Sequence, residues 1–269
     1  MKPPRHSGGY TIVEVMIVLA ISAALFATAV MGYTSQNRRT AFNQTVKDLE
    51  LKIQDTLNDV GTGYFPNSGN FTCSRTGSPA SPIVAAGANQ QGTNQDCIFV
   101  GKALDLTSES GDNNFEIYTI MGLKNSSVNS EVLASSVEDA ANRTIAGISG
   151  AVESYTVNGS IDITKTLIGD GTLADQSKGF AVVSGFGGGA LGGSGATTNQ
   201  VSIASIDTSY NYGSTSALAV RSSDLNKTIT ICIEEGGGGS NARHATIKIG
   251  MGSKISVESN IDDWPAGCA

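Results

Sequence analysis

Residues 8–33 read GGYTIVEVMIVLAISAALFATAVMGY, two glycines followed by a long apolar run. The leader before Tyr10, MKPPRHSGG, is basic through Lys2 and Arg5 and has no apolar run. From Tyr10 the character changes abruptly. As a helix, the 24 residues from Tyr10 to Tyr33 would extend about 36 Å at 1.5 Å per residue. A bilayer core needs roughly 20 apolar residues, so the segment is long enough to span one. The basic residues before it orient the span, with the leader in the cytoplasm and the C-terminal bulk outside.

One residue interrupts the apolar run, Glu14. A carboxylate in hydrocarbon costs several kcal/mol unless it is neutralised or paired, so Glu14 is a candidate functional residue. Near the headgroups it would simply snorkel towards water. Its distance from the Gly9–Tyr10 junction offers a sharper reading. Cleavage there would make Glu14 the fifth residue of a chain with a free, positively charged amine. That amine could offset the carboxylate of an adjacent copy and fix the axial register of packed helices.

The stretch Gly8-Gly9-Tyr10-Thr11-Ile12-Val13-Glu14-Val15 resembles the class III signal peptide of type IV prepilins and type II secretion pseudopilins. In that family a glycine precedes the cut, an aromatic or aliphatic residue follows it, and glutamate is fifth. The resemblance implies removal of residues 1–9 by an inner-membrane prepilin peptidase and N-methylation of Tyr10. It also implies that Glu14 acts in subunit recruitment and helix registry. Expected partners are other pilin subunits and the pilus assembly machinery. The chain would reside in the cytoplasmic membrane before assembly and in an extracellular filament afterwards. Ile12 stands where leucine or threonine is commoner. The helix-breaking proline of many major pilins is missing, since no proline lies between Pro4 and Pro66. Two other readings of the segment remain. An ordinary secretory signal would use Ala27-Thr28-Ala29 as its cleavage site, and an uncleaved helix would be a plain membrane anchor.

Beyond Tyr33 the apolar residues Phe42, Val46, Leu49, Ile53, Leu57 and Val60 recur every three or four positions. This is an amphipathic helix stripe, and Gly61 and Gly63 supply a stop. No turn signal separates the stripe from the apolar run, so one rod is predicted over residues 10–60, with residues 10–33 its membrane or filament-core part. The amphipathic half would lie on the protein's own sheet.

Residues 61–269 alternate short apolar segments with Gly, Ser, Asn and Asp clusters. Strands are predicted at Cys97–Gly101, Phe115–Met121, Gly179–Ser184, Val201–Ile206, Ala217–Val220, Thr228–Glu234, Ala245–Gly250 and Lys254–Val257. Ile229–Ile233 and Thr246–Ile249 are expected to form a hairpin, and Glu131–Asn142 a short helix. The predicted fold class is α+β: a long N-terminal helix packed on an antiparallel sheet. The body is larger than a pilin body requires, so an inserted subdomain is expected around residues 125–200.

Cys73, Cys97, Cys232 and Cys268 contain no CxxC pair and the mature region has one histidine, His244. Two disulfides in an oxidising compartment are favoured over a metal cage. Three connectivities are open. Loop-closure entropy favours Cys73 with Cys97 and Cys232 with Cys268.

A formal charge of −7 and a pI near 4.8 argue against general affinity for nucleic acid or anionic lipid. Gly185, Gly187 and Ala190 mimic a dinucleotide fingerprint, but the glycine-rich sequence after them is a poor start for the phosphate-binding helix. Asp105, Thr107, Glu109 and Glu116 echo a calcium loop with Gly111 out of place. Asn-x-Ser/Thr sequons such as Asn43-Gln44-Thr45 occur at about the frequency this composition gives. No triad spacing accompanies His244, and Trp264 is expected to pack near a disulfide. Neither catalysis nor a cofactor is expected. The function expected is that of a structural filament subunit, with adhesion, surface motility or DNA uptake among its uses. A secretion pseudopilin, a solitary membrane-anchored adhesin and a secreted protein are the alternatives.

Overall fold

A helix with one apolar stripe needs a surface to cover that stripe. The computed structural model describes residues 9–63, 71–76, 81–86, 97–106, 114–123, 143–144, 152–157, 161–169, 179–184, 201–205, 227–236, 242–251, 255–262 and 264–268. The chain divides into two units, Met1–Gln44 and Thr45–Ala269. The long helix α1 (Ile12–Thr62) begins in the first and ends in the second.

In the second unit the strands are β1 (Phe71–Thr76), β2 (Ser81–Ala86), β3 (Cys97–Asp105), β4 (Asn114–Leu123), β5 (Arg143–Thr144) and β6 (Val152–Thr156). They continue with β7 (Ile161–Ile168), β8 (Gly179–Ser184), β9 (Val201–Ser205), β10 (Ile229–Glu235), β11 (His244–Met251) and β12 (Ile255–Ile261). Among the described strands, β1 and β2 form a 2-stranded sheet. A 4-stranded sheet runs β12-β11-β10-β7, and a 6-stranded sheet runs β5-β4-β3-β8-β9 with β6 also on β4. Every pairing is antiparallel. The α+β expectation therefore holds, with the described strands spread over three sheets rather than one.

The expected helix stripe is buried at every position from Phe42 to Val60. Its cover is visible in the register of the 4-stranded sheet. Ile229 opposes Ile249, Ile231 opposes Ile247 and Ile247 opposes Ser259, so these side chains share one face. Glu50 of α1 lies beside Ser259, close enough for Ser259 to lower its pKa, which places the helix against the sheet that carries that isoleucine face. The 6-stranded sheet meets the same helix. Lys102 of β3, buried to 3% exposure, donates to Asp59 at 2.6 Å. Lys52 pairs with Glu153 of β6 and lies over the Tyr155 ring at 5.7 Å. A Cβ on Gly61 would come within 3.1 Å of Val201 in β9.

Two glycines have local reasons. Gly63, at φ 69°, ends α1 and donates its N–H to the Val60 carbonyl. At Gly101, beside an irregularity in the β3–β4 register, an added Cβ would lie 2.0 Å from the Val182 carbonyl oxygen.

The opposite face of the 4-stranded sheet carries Leu167 and Cys232, covered by Cys268 and Trp264. The Cys232–Cys268 disulfide joins β10 to the segment after β12. Asp262, at φ 65°, turns the chain at the end of β12, with its N–H donated to the His244 carbonyl. Trp264 then stacks on His244 with ring centroids 4.2 Å apart.

The predicted strands at Cys97, Phe115, Gly179, Val201, Thr228, Ala245 and Lys254 are present within a few residues of their expected bounds, and β10 and β11 pair as a hairpin. Strands β1, β2, β5, β6 and β7 were not predicted. The strand expected at Ala217–Val220, the helix at Glu131–Asn142, the glycine motif at residues 185–190 and the side chains of Cys73 and Cys97 lie outside the described residues. Much of the expected insertion at 125–200 lies outside them too. Of its described strands, β5, β6 and β8 pair into the 6-stranded sheet and β7 into the 4-stranded one.

Candidate assembly site at the N-terminal helix

Thr11 starts the helix. Its hydroxyl accepts the Glu14 N–H at 3.3 Å and its carbonyl accepts the Val15 N–H at 3.2 Å. Thr11 is thus the N-cap and Glu14 the third helical residue, the spacing of a capping box. A carboxylate in the first turn is also favoured by the positive end of the helix dipole. The sequence reading missed this role for Thr11, although the Thr-x-x-Glu spacing announces it.

Gly9, Tyr10 and Glu14 are all exposed, Tyr10 to 81%. A Cβ on Gly9 would meet nothing within 4 Å, so packing gives no reason for glycine there. Downstream, Ile12, Val13, Met16, Leu19, Leu25, Phe26 and Met31 are exposed as well. The helix contains a stretch of mean hydropathy 2.4, none of it buried, which is long and apolar enough to cross a membrane. Each such side chain gains about 1.5–3 kcal/mol on leaving water, so the segment as a whole favours a lipid or protein environment by tens of kcal/mol. The Thr28 hydroxyl inside it donates to the Leu25 carbonyl at 2.9 Å, which satisfies its donor without water.

An exposed glycine boundary, a capped helix start and an uncovered apolar helix therefore coincide, and comparison with protein families matches the same stretch. Residues 4–30 carry a prokaryotic N-terminal methylation motif. This methylation motif is the class III signal peptide of type IV pilins, and its matched span includes Gly9, Tyr10 and Glu14. The motif supports a prepilin-type reading of the N-terminus, and implies processing by prepilin peptidase and assembly into pilus-like filaments. Membrane anchoring before assembly is consistent with both motif and helix. Neither a curated protein nor a solved structure matches the chain.

The electrostatics of the helix outside the apolar run are local. Burial pushes the Glu50 carboxyl up, but hydrogen bonds from Lys47 and Ser259 and the Lys47 charge outweigh it and leave it below the ordinary value. Burial and the Asp48 charge hold the Tyr155 phenol above its ordinary value, against a smaller opposing effect of Lys52. Asp105 and Glu116, named above for calcium, are register partners on β3 and β4, and Glu116 accepts from the Tyr118 hydroxyl. Thr107 and Glu109 lie outside the described residues.

Proposed function

We propose that the mature chain is a structural subunit of a type IV pilus-like extracellular filament. The observation that carries this is the methylation motif opening directly onto an apolar helix with no protein cover. Prepilin peptidase cuts after Gly9 and Tyr10 is N-methylated. The apolar half of α1 waits in the membrane and then packs against the same half of other copies. Glu14 meets the terminal amine of a neighbouring copy and sets the axial register. The role is structural rather than catalytic and needs no cofactor. A role as a secretion pseudopilin uses the same site. Adhesion, surface motility and DNA uptake are activities such a filament supports, through a surface or DNA ligand on the exposed body.

Mass spectrometry of the mature N-terminus is the test. A chain beginning at N-methyl-Tyr10, recovered from sheared surface filaments, supports the proposal. A mature chain beginning at Val30 points instead to an ordinary secretory signal. An uncleaved chain points to a solitary anchor.

A further inference from the structure

The charges of α1 separate into those with partners and those without. Lys47 pairs with Glu50 at 2.8 Å, Lys52 with Glu153, and Asp59 with Lys102. Among the described residues, Asp48 and Asp55 carry no ion pair, and both are exposed. Leu51 lies three residues after Asp48 and four before Asp55, so the three are neighbours on the helix surface, with Asp48 at the border towards Tyr155 of β6. Leu51 is 56% exposed, a large apolar side chain that the sheets leave uncovered. Arg38 and Arg39, in the first unit, are also exposed and carry no ion pair among the described residues.

The two arginines need an explanation. They follow the apolar run by a few residues, on the side of the membrane that the proposed orientation places outside. Cationic residues flanking a span favour the cytoplasmic side. Arg38 and Arg39 therefore oppose the orienting effect of Lys2 and Arg5. Placed there, they weaken the topology signal without a compensating ion pair among the described residues of their own chain.

We propose that Arg38 and Arg39 of one copy dock on the Asp48–Leu51–Asp55 face of a second copy. The inference rests on the filament reading and names a contact made by that same helix. A second copy is the fitting occupant because it brings two cations on a helix to two anions on a helix. It also covers Leu51 with arginine methylene stems, which bury along apolar surface while their charged heads reach the carboxylates. The contact is additional to the Glu14 registry and uses no residue of the methylation motif.

Charge exchange tests it in cells making the full chain. The double variant R38E/R39E and the double variant D48R/D55R are each expected to lower the yield of sheared filaments at least tenfold. The quadruple variant should recover at least a third of the wild-type yield. All variants should keep an N-methyl-Tyr10 terminus and full membrane insertion. A photo-crosslinking residue at position 51 should join residues near Arg38 of another copy, mapped by peptide mass spectrometry. A quadruple variant no better than the doubles overturns the contact and leaves the filament reading intact. So does a position-51 crosslink mapping to another region or only to a different protein. Loss of insertion in R38E/R39E assigns the arginines to lipid headgroups and overturns it as well. A wild-type chain that forms no filaments removes both readings.

Discussion

Glu14 has two physical roles available to it, and one substitution separates them. As the third helical residue after Thr11 it stabilises the helix start, a role glutamine also fills. As a registry carboxylate it needs its charge. Glu14→Gln is therefore expected to leave helix content and membrane insertion unchanged while reducing filament incorporation at least tenfold, as Glu14→Ala should. Filament yield measured beside circular dichroism reads both. Normal incorporation of the glutamine variant would reduce Glu14 to a capping residue. Gly101 makes a different kind of demand, because its missing side chain makes room for the Val182 backbone. Gly101→Ala must separate β3 from β8 and should destabilise the body by about 2 kcal/mol or more, in the range of core overpacking, read by denaturant unfolding. Glu50 adds a pH dependence. Its carboxyl is held below the ordinary value in the folded state, so its contribution is fully present above the unfolded value of about 4.3. That contribution is lost as pH falls through the lower folded value. The stability gap between wild type and Glu50→Gln should therefore shrink on acidification below about pH 4.3, and a gap that widens there would show the sign to be wrong.

At the scale of elements, α1 is held by its buried stripe and by one buried ion pair. Ile53 is fully buried, so Ile53→Ala should cost about 2–5 kcal/mol as a cavity-forming change. Asp59→Asn leaves the Lys102 ammonium inside without its counter-charge and should also destabilise, by about 1–3 kcal/mol given that Asp59 is partly solvated. Asp59→Asn with Lys102→Met, denatured in parallel, should recover part of that loss. The stripe was legible in the sequence because its period is long and unbroken from Phe42 to Val60. The methylation motif was legible because Gly9, Tyr10 and Glu14 lie within a few residues of one another. Lys102 was not legible, since nothing local shows that a lysine within an apolar strand will meet an aspartate on a helix 43 positions away. Strand β7, with its Ile161, Ile163 and Leu167 among threonines, was hidden by the polar composition around it. Strand β6 was hidden likewise: it has exposed side chains at Glu153 and Ser154 and owes its place to the edge of β4 rather than to its own pattern. Strand β2 begins with Ser81 and Pro82, a weak opening that gives no hint of its partner β1.

For the whole molecule, the relevant boundary lies between a helix that must find cover elsewhere and a body that, in the proposed filament, must survive outside the cell. The body's C-terminal end shows how that survival is arranged. After β12 the chain turns at Asp262, lays Trp264 on His244 and reaches Cys268, bonded to Cys232. Leu167 and Cys232 would otherwise lose part of their cover on the face of the sheet opposite α1. The bridge closes a loop with a sequence separation of 36, for which chain entropy alone gives about 4 kcal/mol. In a unit of this size each kcal/mol shifts the melting midpoint by about 2–4 °C. The double variant Cys232→Ala with Cys268→Ala should therefore melt roughly 8–16 °C lower. Trp264 is the chain's one tryptophan, so its fluorescence reports the same event directly. Opening the bridge should move its emission to longer wavelength before the strands unfold. A variant whose tryptophan emission and melting midpoint both match wild type would show that packing of Trp264 on His244, and not the covalent link, holds this end of the chain.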